Sequence, residues 1–206
     1  RLQKAMEADL LAPFHYFGVT DISVDGIPIA DKSDFNKLVS HDRVEHILKT
    51  LEEYGCDSGV VRGLIFCSRI DEAQQLSQAF NLKGFKTLAI TGGDTVDVFN
   101  EGVDIPQVNQ VVMLRPTTSA IIFVQQLGRG LRKAAGKEYV TVIDFIGNYQ
   151  NNYLIPLALF GDSSYNKDRL RRLLAAGSSL IPGASSISFE KVARERVFAS
   201  IDSAKL

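Results

Sequence analysis

The chain is predicted to fold as an α/β domain: a parallel sheet with helices on both faces. Short unbroken apolar runs alternate with stretches of helical periodicity between residues 64 and 160. Runs such as Leu64-Ile65-Phe66-Cys67 are apolar at every position, as expected of strands buried on both faces. Strands that alternate with helices imply parallel pairing through right-handed crossovers.

Residues 1–40 are mixed. Ala12-Pro13-Phe14-His15-Tyr16-Phe17, followed by Val19, Ile22 and Val24, reads as an extended segment ending at the turn-like Asp25-Gly26. We assign residues 1–40 as a connector from a preceding domain, 41–160 as the α/β domain, and 161–206 as a helical tail and linker toward a following one. Ser40 is placed to cap a helix running to Tyr54, with Val44, Ile47, Leu48 and Leu51 on one face and Gly55 as the stop. After the strand at 64–67, Ser68 is expected to cap the next helix, with Asp71 as its capping-box partner. That helix carries Ala73, Leu76, Ala79 and Phe80 and ends near Gly84. Further strands are predicted at 85–90, 108–114 and 139–145, and helices at 118–127 and 148–159. In the tail, 167–174 reads as a basic amphipathic helix, 177–186 as a linker rich in Gly, Ser and Pro, and 189–201 as a last helix.

One interval breaks the rhythm. Between Ile90 and Phe99 there is no room for a crossover, which needs at least about 10–12 residues with its helix. A stretch of chain is therefore expected to be absent from this numbering near residues 93–96. Arg1 is not a natural start, so the chain is also expected to be cut from something longer.

Bulk properties exclude several functions. The 206 residues carry a formal net charge of −1, so any nucleic-acid contact must come from a few placed groups and not from overall charge. The two cysteines, Cys56 and Cys67, have no metal-ligand spacing and read as reduced thiols of a cytoplasmic protein. No apolar run approaches the roughly 18–20 residues that span a bilayer. A dinucleotide fold would need Gly-x-Gly-x-x-Gly between a strand and a helix, whereas Gly128-Arg129-Gly130 follows a helix and lacks the third glycine. Gly-x-Ser-x-Gly is absent too, and His15, His41 and His46 all precede the run of strands, which sets aside a serine hydrolase.

The densest chemistry lies in Gln125-Gln126-Leu127-Gly128-Arg129-Gly130-Leu131-Arg132. Two arginines three residues apart, flanked by glycine, offer planar donor forks suited to phosphate oxygens. Upstream, Asp97-Val98-Phe99-Asn100-Glu101-Gly102-Val103-Asp104-Ile105-Pro106 reads as an acidic loop. Ser68 and Arg69 stand just past the carboxyl end of a predicted strand, the edge where open α/β sheets bind ligands. Taken singly, these segments are equally a helix end with surface arginines, an acidic turn and a helix cap.

Together they resemble motifs IV, V and VI of superfamily 2 helicases, in that order, from about Arg62 to Asn148. The run from Phe99 to Pro106 is similar to motif V, and Gln125 to Arg132 to motif VI, of the branch that includes type III restriction subunit-like helicases. The resemblance implies a RecA-like C-terminal lobe of P-loop NTPase descent, a three-layer parallel sheet. It implies that Arg132 is the arginine finger, Arg129 its companion on the γ-phosphate, and Gln125 the link from nucleotide to motif V. Gly102 and Asp104 would lie near the ribose and the opposite lobe, and Ser68, Arg69, Thr91, Gly92 and Asn100 along the nucleic-acid backbone. Many family members carry arginine where Gln126 stands.

No Gly-x-x-x-x-Gly-Lys-Ser/Thr and no Asp-Glu-Ala-Asp occurs in the chain. In the family those parts, which hold ATP with its Mg²⁺, belong to the first RecA-like lobe of the same polypeptide. The expected function is thus the second motor lobe of an ATP-dependent helicase or translocase acting on nucleic acid, DNA rather than RNA. The fragment alone would be inactive, and no membrane is involved. The alternative is a degenerate, non-catalytic lobe serving as a binding or scaffold module.

Overall fold

A computed structural model describes residues 2–91, 107–181 and 183–206. Its helices are α1 (Leu2–Glu7), α2 (Phe35–Leu38), α3 (His41–Tyr54), α4 (Ile70–Leu82), α5 (Ala120–Gly130), α6 (Leu154–Phe160), α7 (Lys167–Ala176) and α8 (Lys191–Ser203). Its strands are β1 (Phe14–Thr20), β2 (Ser23–Val24), β3 (Ile27–Pro28), β4 (Gly63–Phe66), β5 (Gln110–Met113), β6 (Val140–Ile146) and β7 (Ser186–Phe189). Among the described residues, five strands form one sheet in the order β4-β5-β6-β1-β7, parallel throughout. β2 and β3 make a small separate hairpin.

The pleat sorts the apolar residues onto two faces. Val111 and Met113 of β5, with Tyr16, Val140 and Val142, meet Phe123 and Leu127 of α5 and the apolar side of α6. Val112, Leu114, Ile143 and Phe145 point the other way, onto Val44, Ile47 and Leu51 of α3 and Leu76 and Phe80 of α4. The result is helices on both sides of a parallel sheet, the predicted three-layer RecA-like arrangement. Ser40 caps α3 as expected, its hydroxyl accepting from the Arg43 amide, and Gly55 ends that helix at positive φ.

Several local expectations change. Residues 14–20, read as part of a connector, form β1 in the sheet interior, paired with both β6 and β7. Their apolar content thus comes from burial on two faces. β7 arises where a linker and the start of a helix were read. Ile187 and Phe189 alternate with Ser186 and Ser188 and join the core, the period-two signal of a strand. Gly18 makes this docking possible: a Cβ there would lie 2.3 Å from Phe189 Cδ1. Arg196 of α8 then donates to the carbonyls of Ile146 and Asp21, at the ends of β6 and β1.

Residues 85–90 do not form a strand. Thr87 is instead held by a side chain of α4: Asn81 Oδ1 accepts from the Thr87 amide at 2.7 Å, and Asn81 Nδ2 donates to the Thr87 carbonyl at 3.1 Å. The helix predicted from residue 148 begins only at Leu154. The stretch at 93–96, with its expected missing segment, lies outside the described residues. Among the described residues no helix is long and apolar enough to cross a membrane.

Candidate nucleotide and nucleic-acid site

The arginine pair is carried by α5, whose Ser119 cap accepts from the Ile121 amide. α5 runs back along the sheet, and its last turn reaches the amino ends of β5 and β6. Gly130 sits there against Val111, Val108 and Val140; a Cβ would come within 2.4 Å of Val111 Cγ2. Leu131 is fully buried, and its carbonyl accepts from the Ala12 amide at 2.8 Å. Arg132 forms an antiparallel bridge with Leu11. The main chain is thus locked while the side chains of Gln125, Arg129 and Arg132 are exposed. Two exposed guanidinium groups on a fixed backbone suit an anionic ligand.

Ser68 and Arg69 follow β4 at the opposite, carboxyl rim, as expected. Ser68 does not cap α4 by accepting from its amides. Its amide and its hydroxyl both donate to Glu72 Oε2, at 2.9 and 2.8 Å. Arg69 is itself the N-cap residue, and Asp71 pairs with it through two hydrogen bonds instead of closing a capping box with Ser68. Arg69 also lies over the Phe35 ring, 5.5 Å from its centroid.

Behind this rim lies a charge network that the residue pattern does not reveal. Arg43 of α3 is completely buried, with Asp21 and Glu72 completely buried beside it. Its guanidinium donates to Asp21, to Glu72 Oε1 at 2.9 Å, and to the carbonyls of Leu38 and Leu114. Burial opposes the Arg43 charge, but Asp21, and more weakly Glu72, overcome it and hold the group firmly protonated. In the same surroundings burial, with Glu72 adding and Arg43 opposing, pushes the Cys67 thiol up to about 12. Arginine is rarely buried unless paired, so nothing in the sequence singled out Arg43.

Ser68, Arg69, Thr91 and Arg129 all border one open groove of about 1490 Å³, beside the outer edge of β4. This groove joins the two rims. Gln125 and Arg132 stand outside its lining. Gly92, Asn100, Gly102 and Asp104 lie outside the described residues. Among the described residues no group of three His, Cys, Asp or Glu side chains is placed to hold a metal ion.

No family model matches the chain. IRC3 of Saccharomyces cerevisiae, which carries the name of an ATP-dependent helicase, is 28% identical over 120 residues, 54% of this chain and 17% of that protein. MJ1505 of Methanocaldococcus jannaschii, named for an ATP-dependent RNA helicase, is 31% identical over 104 residues, 49% of this chain and 13% of that protein. The chain therefore spans only a small part of these relatives. Among solved structures, the ATP-dependent Type ISP restriction-modification enzyme LlaBIII bound to DNA shares the fold with a TM-score of 0.50 at 16% identity, over 97% of this chain and 17% of that one. The chain is thus similar in sequence to part of proteins named as ATP-dependent helicases, and its parallel α/β fold is the one it shares with LlaBIII.

Proposed function

We propose that this lobe is the second half of an ATP-driven motor that moves on nucleic acid. Arg132 acts as the finger that stabilises charge on the γ-phosphate, Arg129 as its companion, and Gln125 as the coupling group on the preceding turn of α5. A first lobe of the same polypeptide holds ATP and its Mg²⁺; the metal, when bound there, neutralises charge on the phosphates. The observation that carries this reading is the locked main chain between Gly130 and Arg132 beneath exposed guanidinium groups. Donors fixed before the reaction need no reorganisation as charge develops.

Ser68, Arg69 and Thr91, with Gly92 and Asn100, form the lobe's share of a nucleic-acid track, and Gly102 and Asp104 face the nucleotide. Contacts to the sugar-phosphate backbone carry little sequence information and weaken with salt. DNA is the preferred substrate in this reading, in keeping with the DNA-bound restriction-modification enzyme of like fold.

The test is nucleic-acid-stimulated ATPase of the polypeptide that carries both lobes, wild type beside Arg132→Ala. A finger is worth about 10³–10⁵ in turnover, so a loss of that order is expected with nucleotide binding kept within a few-fold. Unchanged turnover removes the assignment. A second reading, a lobe that only binds a partner, draws on the internal commitments of Ser68 to Glu72 and Arg69 to Asp71. It predicts no stimulated turnover in the wild type either.

A further inference from the structure

The turn after α5 folds back so that the side chain of Lys137 lies beneath the helix end. Nζ donates to the Gly130 carbonyl at 2.5 Å and to the Arg132 carbonyl at 2.7 Å. The Lys137 amide closes the turn on the Ala134 carbonyl at 3.2 Å, and Gly136 supplies the positive φ that reverses the chain. The Leu131 carbonyl between the two clamped ones is taken by the Ala12 amide. Three consecutive carbonyls, at 130, 131 and 132, are therefore all held, two of them by a single amine. Lys137 is only half-buried. Burial lowers its pKa, while the Asp57 carboxylate, which accepts from the next amide along, works the other way.

A cation at a helix C-terminus is favourable in itself, because the last carbonyls lack partners and carry partial negative charge. That alone would make Lys137 a capping residue. Its position makes it more specific. Arg129 stands one residue before the first clamped carbonyl, and Arg132 owns the second. Rotation of either peptide plane redirects the bond from Cα to Cβ at one arginine relative to the other. Long side chains amplify such a change, and small misplacements of a group at the reacting centre lower rates by about 10²-fold.

We propose that Lys137 is a positioning residue for the arginine pair, fixing the main chain so that both guanidinium groups meet one phosphate. The inference rests on the finger reading above. Its chemistry is that of a tether, with no proton or bond changing hands.

The experiment uses the two-lobe polypeptide with Lys137→Met, which keeps the aliphatic stem and removes the donors, and Lys137→Arg, which restores them. Arg132→Ala runs alongside. Stimulated ATPase gives kcat and the KM for ATP, and thermal unfolding monitors the fold. Lys137→Met is expected to lower kcat about 10–100-fold with KM nearly unchanged and little change in the melting temperature, and Lys137→Arg to recover most of the loss. If Arg132→Ala abolishes turnover while Lys137→Met keeps wild-type kcat, the tether is refuted and the finger stands. If Arg132→Ala has no effect, the finger itself fails. A fall in kcat that tracks a fall in melting temperature and is not recovered by Lys137→Arg also overturns the proposal, since a plain stability role would do that. Should Lys137→Met not fold, Lys137→Gln, with donors for one carbonyl, carries the test: intermediate kcat supports the tether and wild-type kcat refutes it.

Discussion

Arg43→Met puts the buried charge network to the test. The substitution keeps an unbranched stem in the space between α3, β1 and α4, and removes the cation that Asp21 and Glu72 share. Breaking a buried ion pair by taking one partner costs about 3–5 kcal/mol, because the remaining charge is left without compensation. Here two carboxylates are stranded, and the carbonyls of Leu38 and Leu114 lose a donor. The hydrogen bonds are not independent of the ion pairs, so the terms do not add. A loss of about 4 kcal/mol or more is expected, against a total stability of about 5–15 kcal/mol for an ordinary domain. Urea unfolding followed by circular dichroism at pH 7 would read it as a lower midpoint. Adding Asp21→Asn and Glu72→Gln to Arg43→Met should recover much of the loss, since it is the isolated charges that destabilise. A single variant within about 0.5 kcal/mol of wild type, the range of ordinary surface substitutions, would refute this reasoning. So would a triple variant no more stable than the single one.

Gly130→Ala should destabilise by about 1–3 kcal/mol through overpacking against Val111, 2.4 Å from the new Cβ, and should reduce stimulated turnover by shifting the arginine turn; wild-type values in both assays would contradict the close approach. Burial pushes the Asp144 carboxyl up to about 7, against the hydrogen bond from Tyr16 that favours its charge. A folded-state pKa above the unfolded one means tighter proton binding in the native state, so this group's contribution to stability falls as pH rises from about 4 through about 7. Asp144→Asn keeps an acceptor for the Tyr16 hydroxyl and should flatten that part of the pH profile, giving a urea midpoint at pH 8 at or above wild type; an unchanged slope would count against Asp144 as its source. Glu72→Gln, which keeps its oxygen for Arg43 and turns its amide nitrogen toward Ser68, frees the Ser68 hydroxyl proton and should strengthen nucleic-acid binding of the two-lobe protein several-fold, measured by anisotropy at fixed salt; equal affinities would detach Ser68 from the track.

What the sequence made legible, and what it hid, divides along physical lines. Strands announce themselves as unbroken apolar runs, so β5 and β6, buried at every position, and β4, only half-buried at the sheet edge, were found within a few residues. Helix ends with local caps, such as Ser40 and Gly55, were legible because their partners are close in the chain. β1 was read as extended, but its place inside the sheet was not legible, because its run is interrupted by His15 and Gly18, whose roles appear only once β7 is beside them. That pairing joins residues some 170 positions apart, for instance His15 with Ser186, and no local signal encodes it. The same holds for the site. Arg129 and Arg132 declare themselves by spacing and glycine. Lys137 is equally close in sequence, but a lysine after a turn looks like any surface lysine until its carbonyl partners are known.

The two rims of the sheet differ in a way that constrains the motor reading. At the amino rim the main chain is saturated and the arginine side chains point outward, so the donors offered to a ligand are side-chain cations. At the carboxyl rim the situation is reversed. The Ser68 hydroxyl has one proton, and that proton is directed at Glu72. A phosphate diester has none to give at neutral pH, so Ser68 in this arrangement cannot hydrogen-bond to a nucleic-acid backbone phosphate. Arg69 meets the same limit from its pairing with Asp71, though an exposed pair of this kind is weak and exchanges readily. For the carboxyl rim to grip a strand, Glu72 must release the serine proton, and what holds Glu72 in place on its other oxygen is Arg43. The buried network therefore ties any rearrangement at Ser68 to α3 and β1, whose ends meet at Arg43 and Asp21. A grip that comes and goes with lobe closure would have to be transmitted through these buried charges, and neutralising Glu72 alone is the smallest change that would uncouple the two.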